Sequence, residues 1–197
     1  MISIPSLLAK IDYAGGTIDG CAVTRRTLSQ LGDAFADPAA VRDVLAHGDP
    51  LMYTVSTCEY GEGSGSFHCG LGVLYPGTAG EEFFMTRGHM HARKEAPELY
   101  IGIRGQGLML MQREDGSEPQ TVSMSGECLL YVPGHMAHRT VNVGSERLIY
   151  LGIYAADAGH DYESVRKTNF TNVVLRRGEG HEVVPRAEYL RTLPNAR

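Results

Sequence analysis

Two histidines one residue apart, His89 and His91, stand in the run GHMHARKEAPELY, and Glu98 follows them in the same run. Side chains alternate along a strand, so residues i and i+2 share a face. On a strand, His89 and His91 therefore point the same way and offer two imidazoles as a metal chelate. Glu98 lies past the turn signal ARKEAP, at the head of the next apolar run, where a hairpin would return it towards the histidines. His138 follows Pro133 and opens the run HRTVNV. Three neutral imidazoles and one carboxylate form a mixed nitrogen–oxygen set that leaves positions open on an octahedral divalent ion. Each part alone has a plainer reading. An H-x-H pair can lie on a surface, Glu98 can be solvated, and His135 and His138 can be turn residues. Tight turns account for Gly105, Gly107 and Gly126, but not for the histidines.

Other residues could bind an anion or move a proton. Thr86 and the Gly88 amide flank the histidines, and Arg87 adds charge. The hydroxyls of Tyr53, Tyr100, Tyr154 and Tyr162 are neutral donors, although packing with a satisfied hydroxyl explains any single tyrosine equally well. No G-x-x-x-x-G-K-[ST] phosphate loop is present. The stretch DAGHDY crowds Asp157, His160, Asp161 and Tyr162 together. His160 could act there as an acid, and the alternative is a loop capped by its own Asp and His side chains. His47 is expected at a helix end, His68 on a strand and His181 at the surface.

The elements that must hold these groups read as mostly β. The chain has 197 residues, 43% hydrophobic and 21% charged, which suits one globular domain. Its 24 glycines and many short apolar runs favour antiparallel strands with frequent turns. Such runs include LMYTVSTCE, SFHCGLGVLY, EFFMTRGHMH, ELYIGI, GLMLMQRE, HRTVNV and RLIYLGIY. ADPAAVRDVLAHGDP reads as a short helix capped by Asp37, with Pro38 in its first turn and Gly48 after its end. The expected division is an N-terminal extension over about residues 1–50, a barrel over 51–165 and a peripheral segment over 166–197. TNVVL and HEVV suggest a hairpin in that last segment, followed by a poorly anchored RAEYLRTLPNAR. A formal net charge of −5 argues against a nucleic-acid or anionic-membrane partner. No run of ~18 apolar residues reads as a membrane span, and MISIPSLLAKIDYAGG lacks the pattern of a secretory leader. Cys21, Cys58, Cys69 and Cys128 form no C-x-x-C and read as free thiols of a cytoplasmic protein.

Taken together, Gly88, His89, His91, Glu98 and Gly105, then Gly126, Pro133, His138 and Asn142, resemble the two motifs of the cupin superfamily. A longer likeness is more specific. EEFFMTRGHMHARKEAPELYIGIRGQGLMLMQ, YVPGHMAHRTVN and YAADAGHDY, with RRTLSQLGDAF and GDPLMYTV before them, resemble the cupin-type phosphoglucose isomerases. The resemblance implies a double-stranded β-helix, or jelly-roll barrel, and a homodimer. It implies one divalent ion per subunit at His89, His91, Glu98 and His138. That ion is usually Fe2+, with Mn2+, Ni2+, Co2+ or Zn2+ compatible. Tyr53, Thr86, Gly88, Tyr100, Tyr154, His160 and Tyr162 match residues that line the family's substrate site. The implied reaction interconverts glucose 6-phosphate and fructose 6-phosphate, through a cis-enediolate with Glu98 as base or through a metal-guided hydride shift. The competing expectations are another metal cupin, such as a dioxygenase or sugar epimerase, and a non-catalytic sugar-binding cupin.

Overall fold

Antiparallel strands are the commonest elements of this chain; some alternate between buried and exposed side chains, and others are buried on both faces. The computed structural model describes residues 8–194. The first seven residues of the opening segment and the last three of the tail lie outside the described residues. A small hairpin, β1 (Ile11–Asp12) and β2 (Thr17–Ile18), comes first. It leads to β3 (Ala22–Thr27), two 3-10 turns and helix α1 (Pro38–Leu45). Next come β4 (Leu51–Glu59), β5 (Phe67–Leu74) and the two-residue strands β6 (Thr78–Ala79) and β7 (Glu82–Phe83). The centre continues as β8 (Glu98–Arg104), β9 (Gln106–Gln112), β10 (Gln120–Ser125), β11 (Leu129–Val132), β12 (Ala137–Asn142) and β13 (Leu148–Ala155). Helix α2 (Tyr162–Thr168), the hairpin β14 (Asn172–Arg177) and β15 (Gly180–Pro185), and helix α3 (Arg186–Thr192) complete it.

A six-stranded sheet in the order β11-β8-β13-β5-β4-β3 and a three-stranded sheet in the order β10-β9-β12 share one core. Leu28, Met52, Leu74, Met109 and Leu148 are fully buried in that core. Burying each such side chain contributes about 1.5–3 kcal/mol relative to leaving it exposed. This is the double-sheet, all-β architecture expected of a cupin.

Helix α1 forms as its sequence dictates. Asp37 Oδ1 accepts the Ala39 and Ala40 N–H groups at 2.9 and 3.1 Å, Pro38 opens the first turn, and Val41 is buried. Strand β3, by contrast, pairs with β4 and extends the main sheet, so the N-terminal region carries more than a helix. The run EFFMTRGHMH does not form the single strand expected. Strand β7 stops at Phe83, and the residues beyond make only isolated bridges, Met85 to Val141, His89 to His138 and Met90 to Asp161. Gly88 interrupts the run with φ 77°, and a Cβ there would lie 2.9 Å from the His138 carbonyl oxygen.

One expectation at the C-terminal end needs correction. RAEYLRT is well anchored: it forms α3 with Tyr189 buried, and Arg186 donates to the Ala34 and Phe35 carbonyls at 3.1 and 2.8 Å. Helix α2 was not legible as a helix, and Asp161 caps it by accepting the Ser164 N–H at 3.0 Å.

The free-thiol reading fails for one pair of cysteines. The β3–β4 register sets Ala22 opposite Thr57, so Cys21 arrives beside Cys58, and the two form a disulfide with Cα atoms 5.1 Å apart. Cys69 and Cys128 are free. No helix among the described residues is long and apolar enough to cross a membrane. Thiol titration of the unreduced, denatured chain should therefore find the two thiols of Cys69 and Cys128; four titrated thiols would refute the Cys21–Cys58 bond.

Candidate metal centre and active-site cavity

The four candidate ligands arrive from separate pieces of chain. His89 and His91 come from the irregular segment after Gly88, Glu98 opens β8, and His138 lies in β12. The alternation expected for H-x-H survives without a regular strand, because backbone bonds pin each neighbour. His89 N–H donates to the His138 carbonyl at 3.1 Å, and His138 N–H donates back to the His89 carbonyl at 2.9 Å. Met90, between the two histidines, turns into the core at 1% exposure. One ligand atom from each of His89, His91, Glu98 and His138 falls within 4.8 Å of the other three.

Their hydrogen bonding tests whether an ion fits. His91 Nδ1 lies 2.8 Å from the Ala96 carbonyl oxygen, and His138 Nδ1 lies 3.3 Å from that of Met136. A carbonyl only accepts, so each Nδ1 carries the proton and each Nε2 turns a lone pair inward. Those Nε2 atoms stand 3.3 and 3.0 Å from Glu98 Oε2, and His89 Nε2 stands 3.8 Å away. His89 Nε2 and His91 Nε2 are buried without a hydrogen-bond partner. Buried lone pairs facing a carboxylate are costly unless a cation lies between them. The donor set thus fits a divalent ion, and the same chemistry suits imidazole–carboxylate coordination.

Electrostatics keep His89 and Glu98 in binding form, while at His91 the opposing effect of burial is outweighed by the neighbouring Glu98, which raises it. Burial and the neighbouring His138 hold His89 well below the usual imidazole range, so it is neutral. Burial opposes ionisation of Glu98, but its close approach to His138 and His91 outweighs that and holds the carboxyl well below its usual range. Glu98 is 5% exposed and charged.

Three of the four, His89, Glu98 and His138, lie in the wall of a cavity of about 590 Å3. Alternate residues of several strands face it: Tyr53 and Val55 from β4, Glu98 and Tyr100 from β8, His138 and Thr140 from β12, Tyr150, Gly152 and Tyr154 from β13. Thr86, Arg87, Gly88, His160 and Tyr162 also line it, so the cavity gathers most of the residues singled out in the sequence. The His160 ring centroid is 4.5 Å from that of His89, and its ring stacks on Tyr162 at 5.8 Å. Burial lowers His160, which is therefore a neutral imidazole near pH 7. Burial also raises Tyr53, Tyr100, Tyr154 and Tyr162, so their hydroxyls stay protonated donors.

Other candidates serve structure. Asp161 caps α2, so the capped-loop reading of DAGHDY holds for it, whereas Asp157 pairs with the distant Arg93 at 2.9 Å. Asn142 donates to the Leu74 and Glu146 carbonyls at 2.9 and 2.8 Å. His135 lies at a separate polar recess with Lys94 and Glu114. His68 bonds the Gly61 carbonyl oxygen at 3.0 Å, and His47 bonds that of Asp43 at 2.9 Å. His181 is exposed on β15.

Arg87 is less free than its charge suggests. It pairs with Asp33 at 2.9 Å, and Arg166 reaches the same carboxylate at 3.0 Å. The cation that no local pattern singled out is Arg139. It is 3% exposed, donates to the Arg87 carbonyl at 3.1 and 2.6 Å and to Asn169 Oδ1 at 3.3 Å, and lies 4.4 Å from the Phe170 ring centroid. Burial lowers it to about 9. Thr140 and Tyr150 were missed as well, although strand alternation from His138 and from Tyr154 points to both.

A buried three-histidine, one-carboxylate cluster in the cavity of an antiparallel double-sheet fold defines a metal-competent β-barrel. Residues 25–190 match the family model described as glucose-6-phosphate isomerase (GPI). The chain belongs to this glucose-6-phosphate isomerase family. It is 39% identical over 175 residues to glucose-6-phosphate isomerase of Pyrococcus horikoshii, covering 89% of this chain and 92% of that protein. It is 43% identical over 165 residues to that of Thermococcus kodakarensis, covering 84% and 86%. Among solved structures, an oxalate oxidase aligns over 57% of this chain and 56% of its own, with 13% identity and a TM-score of 0.47. Likeness of that extent bears on neither family nor activity.

The close approach at Gly88 gives a direct test of the centre. Gly88→Ala forces a Cβ to within 2.9 Å of the His138 carbonyl at φ 77°. It should cost about 1–3 kcal/mol of stability. The disturbed His89–His138 bridge should also weaken Mn2+ binding to metal-stripped protein by ~10–100-fold in calorimetric titration. Unaltered Mn2+ affinity would disconnect this bridge from the metal centre.

Proposed function

We propose that this chain interconverts glucose 6-phosphate and fructose 6-phosphate within the 590 Å3 cavity. The observation that carries the reading is the buried His89, His91, Glu98, His138 cluster, whose inward lone pairs call for a cation beside open space. A bound divalent ion, Fe2+ by preference with Mn2+, Ni2+, Co2+ or Zn2+ compatible, supplies a Lewis acid for the sugar oxygens. Glu98 is ionised and faces the cavity, so it can carry a proton between C2 and C1 of the sugar. Neutral His160 can give or take a proton at a sugar oxygen during ring opening. In the hydride-shift route Glu98 serves only as a ligand.

The phosphate goes to hydroxyls and an amide that line the cavity beside the metal centre. Thr86, the Gly88 amide, Tyr53, Tyr154 and Tyr162 are its donors, with Tyr100 nearer Glu98. Arg139, a buried cation behind the Arg87 carbonyl, adds fixed positive charge there. Sugar phosphates are anions that do not cross membranes, so a cytoplasmic location accompanies this reading.

A second copy of this chain is the proposed partner. On the outer face of the main sheet, Leu129 is 69% and Tyr131 59% exposed. Register sets Leu129 beside Ile101 and Tyr131 beside Leu99, with Leu151 and Ile153 next in each row. Such an uncharged apolar face complements itself across a two-fold axis. Light scattering should give a dimer, and Leu129→Glu with Tyr131→Glu should give a monomer; a wild-type monomer at micromolar concentration counts against the homodimer.

Glu98→Gln separates ligand from base. An amide keeps an oxygen in place but removes the charge and the basicity. As a base mutant it should retain metal, lose ~10²–10⁴ in kcat, and lose exchange of the transferred hydrogen with deuterated solvent. A metal-replete variant with wild-type kcat would reject Glu98 as the base. Turnover in the absence of oxygen separates the isomerase from a dioxygenase.

A further inference from the structure

Three hydroxyls stand in line beside the metal centre. Tyr150 Oη lies 3.1 Å from Thr140 Oγ1, and Thr140 Oγ1 lies 3.3 Å from Thr86 Oγ1. The Thr140 N–H also donates to Thr86 Oγ1, at 3.1 Å. Tyr150, Thr140 and Thr86 all line the cavity.

Counting protons fixes the direction of this line. A hydroxyl has one proton to give and two lone pairs to receive. Thr140 gives its proton to Thr86. In its contact with Tyr150 it can then only accept, so Tyr150 donates. Burial pushes the Tyr150 phenol up, which keeps that proton in place. Thr86 Oγ1 receives two protons, one from the Thr140 amide and one from its hydroxyl. Both lone pairs are used, and only its own proton is left to offer. Bonds in series polarise one another, so the last donor is strengthened by those behind it.

Tyr150 reaches this position because its cross-strand partner is Gly72. A Cβ on Gly72 would lie 2.4 Å from the Tyr150 ring and 2.7 Å from its hydroxyl. The missing side chain on β5 makes room for the one that starts the line on β13.

We infer that Tyr150 and Thr140 are positioning residues that commit the Thr86 hydroxyl to donating, and so select a phosphate oxygen, an acceptor only, at that point of the cavity. The inference rests on the isomerase reading, which sets a sugar phosphate there. A hydroxyl free to turn would receive donors and acceptors alike. Thr86, held in this way, favours an anionic oxygen and disfavours the donating end of a sugar hydroxyl.

The test uses the metal-loaded protein and inorganic phosphate as the probe. Tyr150→Phe removes one oxygen and preserves the ring over Gly72. Thr140→Val keeps the shape and breaks the line in its middle. Each should raise KM for fructose 6-phosphate and Ki for inorganic phosphate by ~3–10-fold, the worth of one neutral hydrogen bond, and by more than kcat falls. Metal content should not change. Because the bonds are in series, the double variant should be no worse than Thr140→Val alone, a coupling that plain loss of packing would not produce. An active wild type whose Ki for phosphate is unmoved by Tyr150→Phe overturns the inference alone, as does a double variant whose effects multiply. A wild type without turnover overturns the isomerase reading and the inference with it.

Discussion

A carboxylate held in the interior beside three imidazoles is the constraint around which this molecule is arranged. Glu98 is held in its charged form despite its burial, and His138 and His91 Nε2 stand 3.0 and 3.3 Å from it, where a cation would join them. A buried charge of this kind survives only where its partners are fixed. The carboxylate and its partners come from two sheets and an irregular segment, so the sheets must close on each other for the cluster to exist. The mutual backbone bonds between His89 and His138 are the stitch. The carbonyls of Ala96 and Met136 then fix which ring nitrogen faces inward.

Closure at this density leaves little room, and glycines supply it where backbones or carboxylates touch. Gly88 lets the His89 segment lie against the His138 carbonyl. On β13, a Cβ at Gly152 would lie 2.6 Å from Glu98 Oε1, so that position must be bare for the carboxylate to fit. The neighbouring alternate positions, Tyr150 and Tyr154, carry the large polar side chains that line the cavity. One strand thus gives the site both its empty space and its hydroxyls.

Charge in the cavity runs against the charge of the chain. The net charge is −5, yet Arg26, Arg87, Arg139 and Arg166 all line the cavity. Asp33 neutralises much of this by holding Arg87 and Arg166 together. Its carboxyl is lowered chiefly by the hydrogen bond from Arg87, so this support is present above the ordinary carboxylate range and is lost as pH falls through the lowered value. Arg139 is different, since its bonds go to a carbonyl, an amide oxygen and a sulfur rather than to a carboxylate. A cation kept this way leaves field available to an anionic ligand.

The sequence by itself picked out the four residues that could hold a metal, the all-β class and helix α1, because these rest on local rules. Alternation put His89 and His91 on one face, turn residues brought Glu98 back, and Asp37 with Pro38 marked a helix start. Alternation would also have pointed to Thr140 and Tyr150, but nothing local says which of many strand residues faces a cavity. The hydroxyl line needs three strands or segments in register, and its direction needs the full set of bonds. The Cys21–Cys58 bond likewise depends on the β3–β4 register, which spacing along the chain does not report. Helix α3 looked loose because its anchors, the Ala34 and Phe35 carbonyls, lie far away in sequence. The tertiary structure decided these features, because each is a contact between residues that only closure of the sheets brings within bonding distance.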